Sequence, residues 1–194
     1  DKLKYNEKIH RRQITFNATR SAKICDYLPA IDYLAESGFV VVRVGDKSMS
    51  SIKHPSLIDL ATSEFRSNQL ELYMISRSEL MIASESGGFL PGVLLNVPIL
   101  RTNVTHPIVG YPLNEKDLYS IKRMRDKETN KWLTPTELLG PLYLREFESI
   151  EHQERYQYED NAPEEHIASV QEMLALLQDS GEVSLSPKQK QWRQ

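Results

Sequence analysis

The apolar residues of this chain alternate between helical spacing and short continuous runs. Between residues 21 and 38 they fall on one face of a helix, at Ile24, Tyr27, Leu28, Ile31 and Leu34, and Gly38 follows as a stop signal. The next segment, FVVVRVG at 39–45, is β-branched and apolar apart from one arginine, which is typical of a parallel strand covered on both faces. We therefore predict a helix packed on a buried strand.

The same alternation continues toward the C-terminus. SLIDLA at 56–61 is compatible with another short strand. Ser67 can cap a helix that runs to Ser76, with Leu70, Tyr73 and Met74 turned inward. A strand at 80–83, a helix at 87–96 and a strand at 97–100 follow. Strands that alternate with helices predict right-handed crossovers, and hence an α/β fold with a Rossmann-like parallel sheet flanked by helices.

Two further helices are predicted by their starting residues. LTPTELL at 133–139 offers Thr134 as the cap, proline at the first helical position and glutamate three residues after the cap. NAPEEHIASVQEMLALL at 161–177 repeats this arrangement and carries an apolar stripe. We expect one core domain at 21–178, between a polar segment at 1–20 and a polar tail at 179–194 that frays.

Composition excludes several classes of function. The formal net charge is −3 and the basic residues are dispersed, which argues against nucleic acid as a partner. The single cysteine, Cys25, lies on the apolar face of the first predicted helix and is expected to be an inert core thiol in a reducing compartment. No apolar run reaches the roughly 18–20 residues of a spanning helix, and residues 1–13 contain no signal-peptide core. A cytoplasmic location is expected.

The stretch ELMIASESGGFLPGVLLNVPIL at 79–100 holds the strongest candidate for chemistry. Ser84, Glu85, Ser86, Gly87 and Gly88 lie between a predicted strand and a helix, where free backbone amides and serine hydroxyls can bind an anion. The alternative is a tight turn that glycine permits. A glutamate beside a diphosphate would repel it, so this side chain has to point at ribose or sugar hydroxyls, or at solvent.

Other polar residues lie near strand ends, where ligands of open α/β sheets bind. An arginine in a buried strand needs a partner, so Arg43 pairs with a ligand phosphate or with a carboxylate such as Asp59 or Glu71. In LRTNVTHP at 100–107, Asn103 and His106 can hydrogen-bond a ligand. The five histidines lack metal-ligand spacing, and no nucleophile-elbow, Walker or dinucleotide fingerprint is present. The sequence predicts neither a metal nor a cofactor.

Three blocks of the chain resemble a family of surface-carbohydrate glycosyltransferases. They are RSAKICDYLPAIDYLAESGFVVVRVGD at 20–46, RSNQLELYMISRSELMIASESGGFLPGVLLNVPILRTN at 66–103 and YEDNAPEEHIASVQEML at 158–174. Their order and spacing match over most of the chain. The family is similar to transferases of the two-domain GT-B architecture, whose C-terminal half binds the nucleotide-sugar donor, and heptosyltransferases show a similar strand, Ser-Gly turn, helix and strand there.

The resemblance implies a donor site in this chain. It implies that Ser84, Ser86, Gly87 and Gly88 hold the donor diphosphate beside Arg43, with Arg43 and Arg20 as candidates for stabilising the leaving group. The family usually has Arg-Asn where this chain has Arg20-Ser21, so the role transfers to Arg20 and not to Ser21. The full set of candidate donor-binding residues is Arg20, Arg43, Gly45, Ser84, Glu85, Ser86, Gly87, Gly88, Asn103 and His106.

The family also carries a His-x-Arg-Asp motif upstream, of which Asp1 would be the last residue. If the chain starts there, it lacks the acceptor-binding half, which a missing N-terminal domain or a partner protein would supply. The expected activity is metal-independent transfer of a sugar from a nucleotide diphosphate to a surface glycan, in the cytoplasm or peripheral to the inner membrane. The general base has no candidate. The alternatives are a non-catalytic module that binds a nucleotide or sugar phosphate, and a structural subunit of a glycan-biosynthesis complex.

Overall fold

The computed structural model of the chain describes residues 19–106, 113–140 and 154–178. The predicted segment 1–20 therefore lies outside the described residues apart from Thr19 and Arg20, and the predicted tail 179–194 lies wholly outside them. The described helices are α1 (Leu28–Glu36), α2 (Asn68–Ser76), α3 (Leu90–Leu94), α4 (Pro135–Leu138) and α5 (Pro163–Gln178). The strands are β1 (Val42–Arg43), β2 (Ile58–Asp59), β3 (Met81–Ala83), β4 (Ile99–Val104), β5 (Leu118–Ile121), β6 (Arg123–Asp126), β7 (Lys131–Trp132) and β8 (Tyr156–Glu159).

A parallel sheet of three strands, in the order β3-β4-β5, is the centre of the domain. All six residues of β4 are buried, as expected for the central strand of a covered parallel sheet. Helices α1 and α5 pack against each other, and α5 also contacts β4 and β5. Their buried side chains form one cluster with the sheet, made of Ala30, Leu34, Leu100, Val170 and Met173. The chain is thus a mixed α/β domain with parallel strands and flanking helices.

The predicted strand at 39–45 forms only a two-residue strand, and it is not hydrogen-bonded to this sheet. β1 pairs with β2 in parallel, through Val42 with Ile58 and Arg43 with Asp59, as a separate sheet. The prediction of a single sheet holding 39–44, 80–83 and 97–100 is therefore wrong. Val40 is 77% exposed, so the apolar run is not covered on both faces. Phe39 and Val41 nevertheless pack against the main cluster.

An antiparallel sheet, in the order β7-β6-β8, was not predicted. Its inner side chains belong to a second cluster, formed by Met124, Leu138 and Tyr156 with partly buried neighbours. The strands of this sheet are rich in charged and aromatic residues, so the apolar pattern that identified the parallel strands did not reveal them. The purely parallel architecture is corrected to two parallel sheets, β1-β2 and β3-β4-β5, and a separate antiparallel sheet.

Local signals for helix ends are confirmed. The Ser67 side chain accepts a hydrogen bond from the Leu70 amide at 3.2 Å, and Thr134 forms a complete capping box with Glu137. Gly38 ends the first helix with φ +90°. The helix predicted at 87–96 is instead a short 3₁₀ turn at Gly87–Phe89 followed by α3.

Two predicted burials are wrong. Tyr73 is 60% exposed, because the buried side chain of α2 is Ile75. Cys25 is exposed rather than in the core, because the segment Ile24–Tyr27 is a 3₁₀ helix and its side chains do not follow the 3.6-residue repeat. No helix in the described parts of the chain combines the length and apolar character needed to cross a bilayer.

Candidate functional site

The carboxyl edge of the parallel sheet brings together residues that follow β3 and β4. Ala83 pairs with Arg101, so β4 continues for three residues beyond the end of β3. The segment 84–88 therefore leaves β3 beside the last part of β4. In sheets of this kind, ligands bind at the carboxyl ends of the strands.

Glu85 fixes the turn to the end of β4. Its side chain is buried, and its Oε2 accepts hydrogen bonds from the Thr105 amide at 2.7 Å and the Thr105 Oγ1 at 2.5 Å. The sequence predicts that this carboxylate faces a sugar or solvent, whereas in the structure it faces the protein interior. The negative charge is thereby directed away from the outer side of the turn.

Gly87 and Gly88 have no conformational reason to be glycine. Neither has a positive φ, which only Gly38 and Gly45 show among the glycines of the described residues. A Cβ on Gly87 would meet no atom within 4 Å, and one on Gly88 would meet only the Ser86 Oγ at 3.4 Å. The space in front of Gly87 is therefore open. A turn that needs glycine because of positive φ is therefore not formed at either residue.

The serines of the turn are hydrogen-bonded locally. The Ser84 carbonyl accepts from the Ser86 amide at 2.8 Å, and the Ser86 Oγ accepts a long hydrogen bond of 3.4 Å from the Gly88 amide. Because α3 has only five residues, its dipole contributes little. The chemical capacity of the turn lies in its own amides and hydroxyls.

Arg101 lies behind the turn and was missed by the sequence analysis. Its guanidinium stacks on the Phe89 ring, 4.1 Å from the centroid, and the side chain is buried. Burial lowers the pKa of Arg101, while the charges of Glu85 and Asp117 raise it. The available signal was a charged residue directly after the apolar pair Ile99-Leu100, in a strand that was predicted to end at residue 100 but continues to Val104.

Arg43 is held by the protein itself. Its Nη1 lies 3.2 Å from the Asp59 Oδ2 and donates to the Ser50 carbonyl at 2.9 Å. Asp59 also accepts from the Ile52 amide and the Thr62 hydroxyl. Burial pushes the pKa of Asp59 up, but these donors and the Arg43 charge together bring that pKa below its ordinary value. Of the partners left open by the sequence, the structure shows Asp59.

Gly45 and Glu71 complete this neighbourhood. The Gly45 amide donates to the Glu71 Oε1 at 3.0 Å, and its carbonyl accepts from the Arg66 Nε at 2.8 Å. Gly45 has φ +148°, a region that glycine tolerates best. Its backbone conformation therefore explains why this residue is glycine, and Gly87 has no such explanation.

Asn103 is engaged within the fold. It has φ +56°, and its Oδ1 accepts from the Asn161 amide while the Asn161 Oδ1 accepts from the Asn103 amide. Its Nδ2 donates to the Tyr27 hydroxyl at 3.0 Å. His106 is buried just after β4, and Arg20 is half-buried at the start of the described residues. The structure thus places Ser84–Gly88 and His106 after neighbouring strands, whereas Asn103 links β4 to the start of α5.

A buried histidine lies beside this link. The His166 ring stacks on Tyr27 with centroids 4.0 Å apart, and neither ring nitrogen has a hydrogen-bond partner among the described residues. Burial lowers the pKa of His166, although Asp26, Glu165 and Asp160 oppose that shift. His166 was not a candidate from sequence.

Comparison with known proteins adds no assignment: no family model, no curated protein and no solved structure matches the chain. Within residues 19–106, 113–140 and 154–178, no group of three or more histidine, cysteine, aspartate or glutamate side chains is placed to hold a metal ion.

Proposed function

We propose that this domain is the nucleotide-sugar-binding half of a metal-independent glycosyltransferase, with a Rossmann-like sheet of the GT-B type. The turn Ser84–Gly88 would hold the donor diphosphate. The acceptor would be a surface glycan or its precursor, brought by a second domain or a partner protein, in the cytoplasm or at the inner membrane surface. The resemblance of three sequence blocks to surface-carbohydrate glycosyltransferases supports this identity.

The observation that carries the proposal is the open space at Gly87. This glycine follows a parallel strand at the sheet edge, has no positive φ, and would bring a Cβ into contact with nothing. A residue without a side chain is needed at such a place when another molecule approaches the backbone closely. Phosphate oxygens bind backbone amides in this way.

The inward orientation of Glu85 removes the main objection. A carboxylate beside a diphosphate would weaken binding, but this carboxylate is bound to Thr105. The outer side of the turn would then offer the Gly87 amide and the hydroxyls of Ser84 and Ser86 to the ligand. These groups would stabilise the negative charge that develops on the leaving diphosphate. Arg20 remains the proposed cationic contributor, whereas Arg43 is already paired with Asp59 and is not needed for donor binding in this proposal.

A non-catalytic module that binds a nucleotide or sugar phosphate is the second candidate. It would bind a nucleotide through the same turn without transferring a sugar. A structural subunit with an unoccupied turn is the third, and it differs from the other two in binding no nucleotide.

The test is calorimetric titration of nucleoside diphosphates and nucleotide sugars against the wild-type chain and two variants. Gly87→Val places a branched side chain in the open space and should abolish binding without unfolding the domain. Ala175→Val is the control, because it introduces the same branched side chain at an exposed position of α5. Titration with and without EDTA should give equal affinities if binding needs no metal.

Loss of binding in Gly87→Val alone, with unchanged melting temperature, would support the proposal. Failure of every nucleotide to bind the wild-type chain would contradict it and favour the structural subunit. Binding with no sugar transfer to any acceptor, even with the partner domain present, would favour the non-catalytic module. Affinity that disappears with EDTA would contradict the metal-independent mechanism.

A further inference from the structure

The outer face of the antiparallel sheet carries a row of three side chains that belong to no site described above. β6 alternates, so Met124 and Asp126 are buried while Arg123 and Arg125 lie on the opposite face. Arg125 is directly opposite Trp132 on β7 and Gln157 on β8. An aromatic ring, a guanidinium and an amide therefore lie side by side across the three strands. We call this row, with Arg123 and Glu159 beside it, the Trp132 face.

The two arginines of the Trp132 face differ in their partners. The guanidinium carbon atoms lie 5.0 Å (Arg123) and 5.8 Å (Arg125) from the Trp132 ring centroid. Arg123 forms an ion pair with Glu159. Arg125 has no ion pair with any described residue, and its buried Nε has no hydrogen-bond partner there.

A half-buried guanidinium that pairs with no carboxylate of the described residues can bind an anionic group through charge-assisted hydrogen bonds. Nearby, Arg155 is satisfied by Asp126, with 2.7 Å between its Nη2 and the Oδ2. The sheet therefore provides a carboxylate for Arg155 and for Arg123 but not for Arg125. This difference points to an anionic group of a ligand at Arg125.

Trp132 provides a second contact for the ligand, in addition to Arg125. Trp132 is 44% exposed on an edge strand, and its ring lies next to the two arginines. A flat apolar ring, a planar cation and an amide fit a sugar ring that bears an acidic group. The apolar face of the sugar would stack on the indole, the acid would bind Arg125, and hydroxyls would bind Gln157 and Glu159.

Nucleic acid also stacks on aromatic rings and binds arginine, but two observations disfavour it. The chain carries a net charge of −3, and Glu159 lies within the face and would repel a continuous phosphate backbone. We propose that the Trp132 face binds an acidic carbohydrate. That this carbohydrate is the acceptor glycan rests on the proposed transferase function, whereas the binding itself does not.

The test measures binding of an oligogalacturonate, a neutral maltooligosaccharide and a single-stranded DNA oligonucleotide by calorimetry at low salt. The variants are Arg125→Gln, Trp132→Ala and the control Arg77→Gln, which removes an exposed arginine at the end of α2, away from this sheet. Melting temperatures establish that each variant is folded. Nucleotide-sugar affinity is measured on the same samples.

We expect the wild-type chain to bind the acidic oligosaccharide and not the neutral one. Arg125→Gln should weaken that binding about tenfold or more, because a charge-assisted hydrogen bond is lost. Trp132→Ala should weaken it as well, and Arg77→Gln should leave it unchanged. The interaction should also weaken as salt is added.

Three outcomes would overturn the inference. They are no binding of the acidic oligosaccharide at millimolar concentration, an equal loss in the Arg77→Gln control, and tighter binding of DNA that the same two substitutions abolish. Failure here is separate from failure at the donor turn. Arg125→Gln and Trp132→Ala should retain nucleotide-sugar affinity, and Gly87→Val should retain binding of the acidic oligosaccharide.

Discussion

Arg43 and Gly87 were both predicted to bind the sugar donor, but contacts within the fold explain the presence of only one of them. Arg43 has a carboxylate at 3.2 Å and a carbonyl at 2.9 Å, so its presence follows from Asp59 and Ser50. Gly87 has no positive φ and no neighbour within 4 Å of a Cβ. A residue whose partners lie in the fold is explained by stability, whereas one with no structural reason directs attention to a ligand.

The same contrast applies to glycines and buried polar groups elsewhere. Gly45 is required by its φ of +148°, and Glu85 is satisfied by Thr105. His166 is buried with no hydrogen-bond partner for either nitrogen in the described residues. Substitution of a residue that the fold requires, such as Gly45 or Glu85, should mainly lower stability. Substitution of a residue without such a structural reason should change ligand binding or the pH dependence of stability.

The largest stability effect is expected for Arg43→Met. This change leaves Asp59 with a buried charge and only neutral donors, which should cost about 3 kcal/mol of the free energy of unfolding. Urea unfolding monitored by circular dichroism measures this loss. Nucleotide-sugar affinity should stay within twofold of wild type, on the order of measurement error. A large loss of affinity with unchanged stability would place Arg43 in the donor site instead.

Glu85→Ala is expected to have the next largest effect. The Thr105 amide and hydroxyl would lose their buried acceptor, at a cost of about 1–3 kcal/mol. Because the turn would no longer be tied to β4, nucleotide affinity should also fall. Glu85→Gln is the matched control, since its amide oxygen can still accept from both Thr105 donors. If both variants are as stable as wild type, Glu85 does not hold the turn.

The pH dependence of unfolding should separate the paired and unpaired buried groups. Burial lowers the pKa of His166 in the folded chain below its ordinary value of 6.5. As pH falls below about 6.5, this histidine is therefore protonated in the unfolded chain before it is protonated in the folded one, and stability should decrease. The pKa of Asp59 is lowered from 3.8 by its donors, so its contribution is lost only as pH falls below about 3.8.

His166→Phe retains a ring against Tyr27 and should abolish the first decrease. Arg43→Met should reduce the second and leave the first unchanged. Unfolding free energies at a series of pH values test both expectations, and a first decrease that persists in His166→Phe would assign it to another group.

Gly87→Ala is expected to have the smallest effect on stability. A residue with negative φ and free space should tolerate alanine, with a gain of up to about 1 kcal/mol from the reduced entropy of the unfolded chain. Gly45→Ala is the structural counterpart, because its φ is +148° and its Cβ would lie 2.7 Å from the Met49 Cε. It should be destabilised. Thermal unfolding compares them, and equal destabilisation of both would mean that Gly87 is required by the turn.

Much of the secondary structure could be predicted because its signals are local. Ser67, Thr134 and Pro163 lie within one turn of the amides they cap or the helix they begin, so spacing alone revealed those helix starts. The parallel pairing of 80–83 with the strand after it followed from the alternation of helices and strands. The position of Ser84–Gly88 after a strand was equally predictable.

The sequence by itself thus determined the α/β class, the main helices and the turn that follows β3, because neighbouring residues decide these. Only the tertiary structure decided that Glu85 binds Thr105, that Asn103 exchanges hydrogen bonds with Asn161 58 residues away, and that β6, β7 and β8 form an antiparallel sheet. Each of these depends on a partner distant in sequence. A polar side chain carries no local sign of that partner, because its hydrogen bonds are chosen only when packing brings the two segments together.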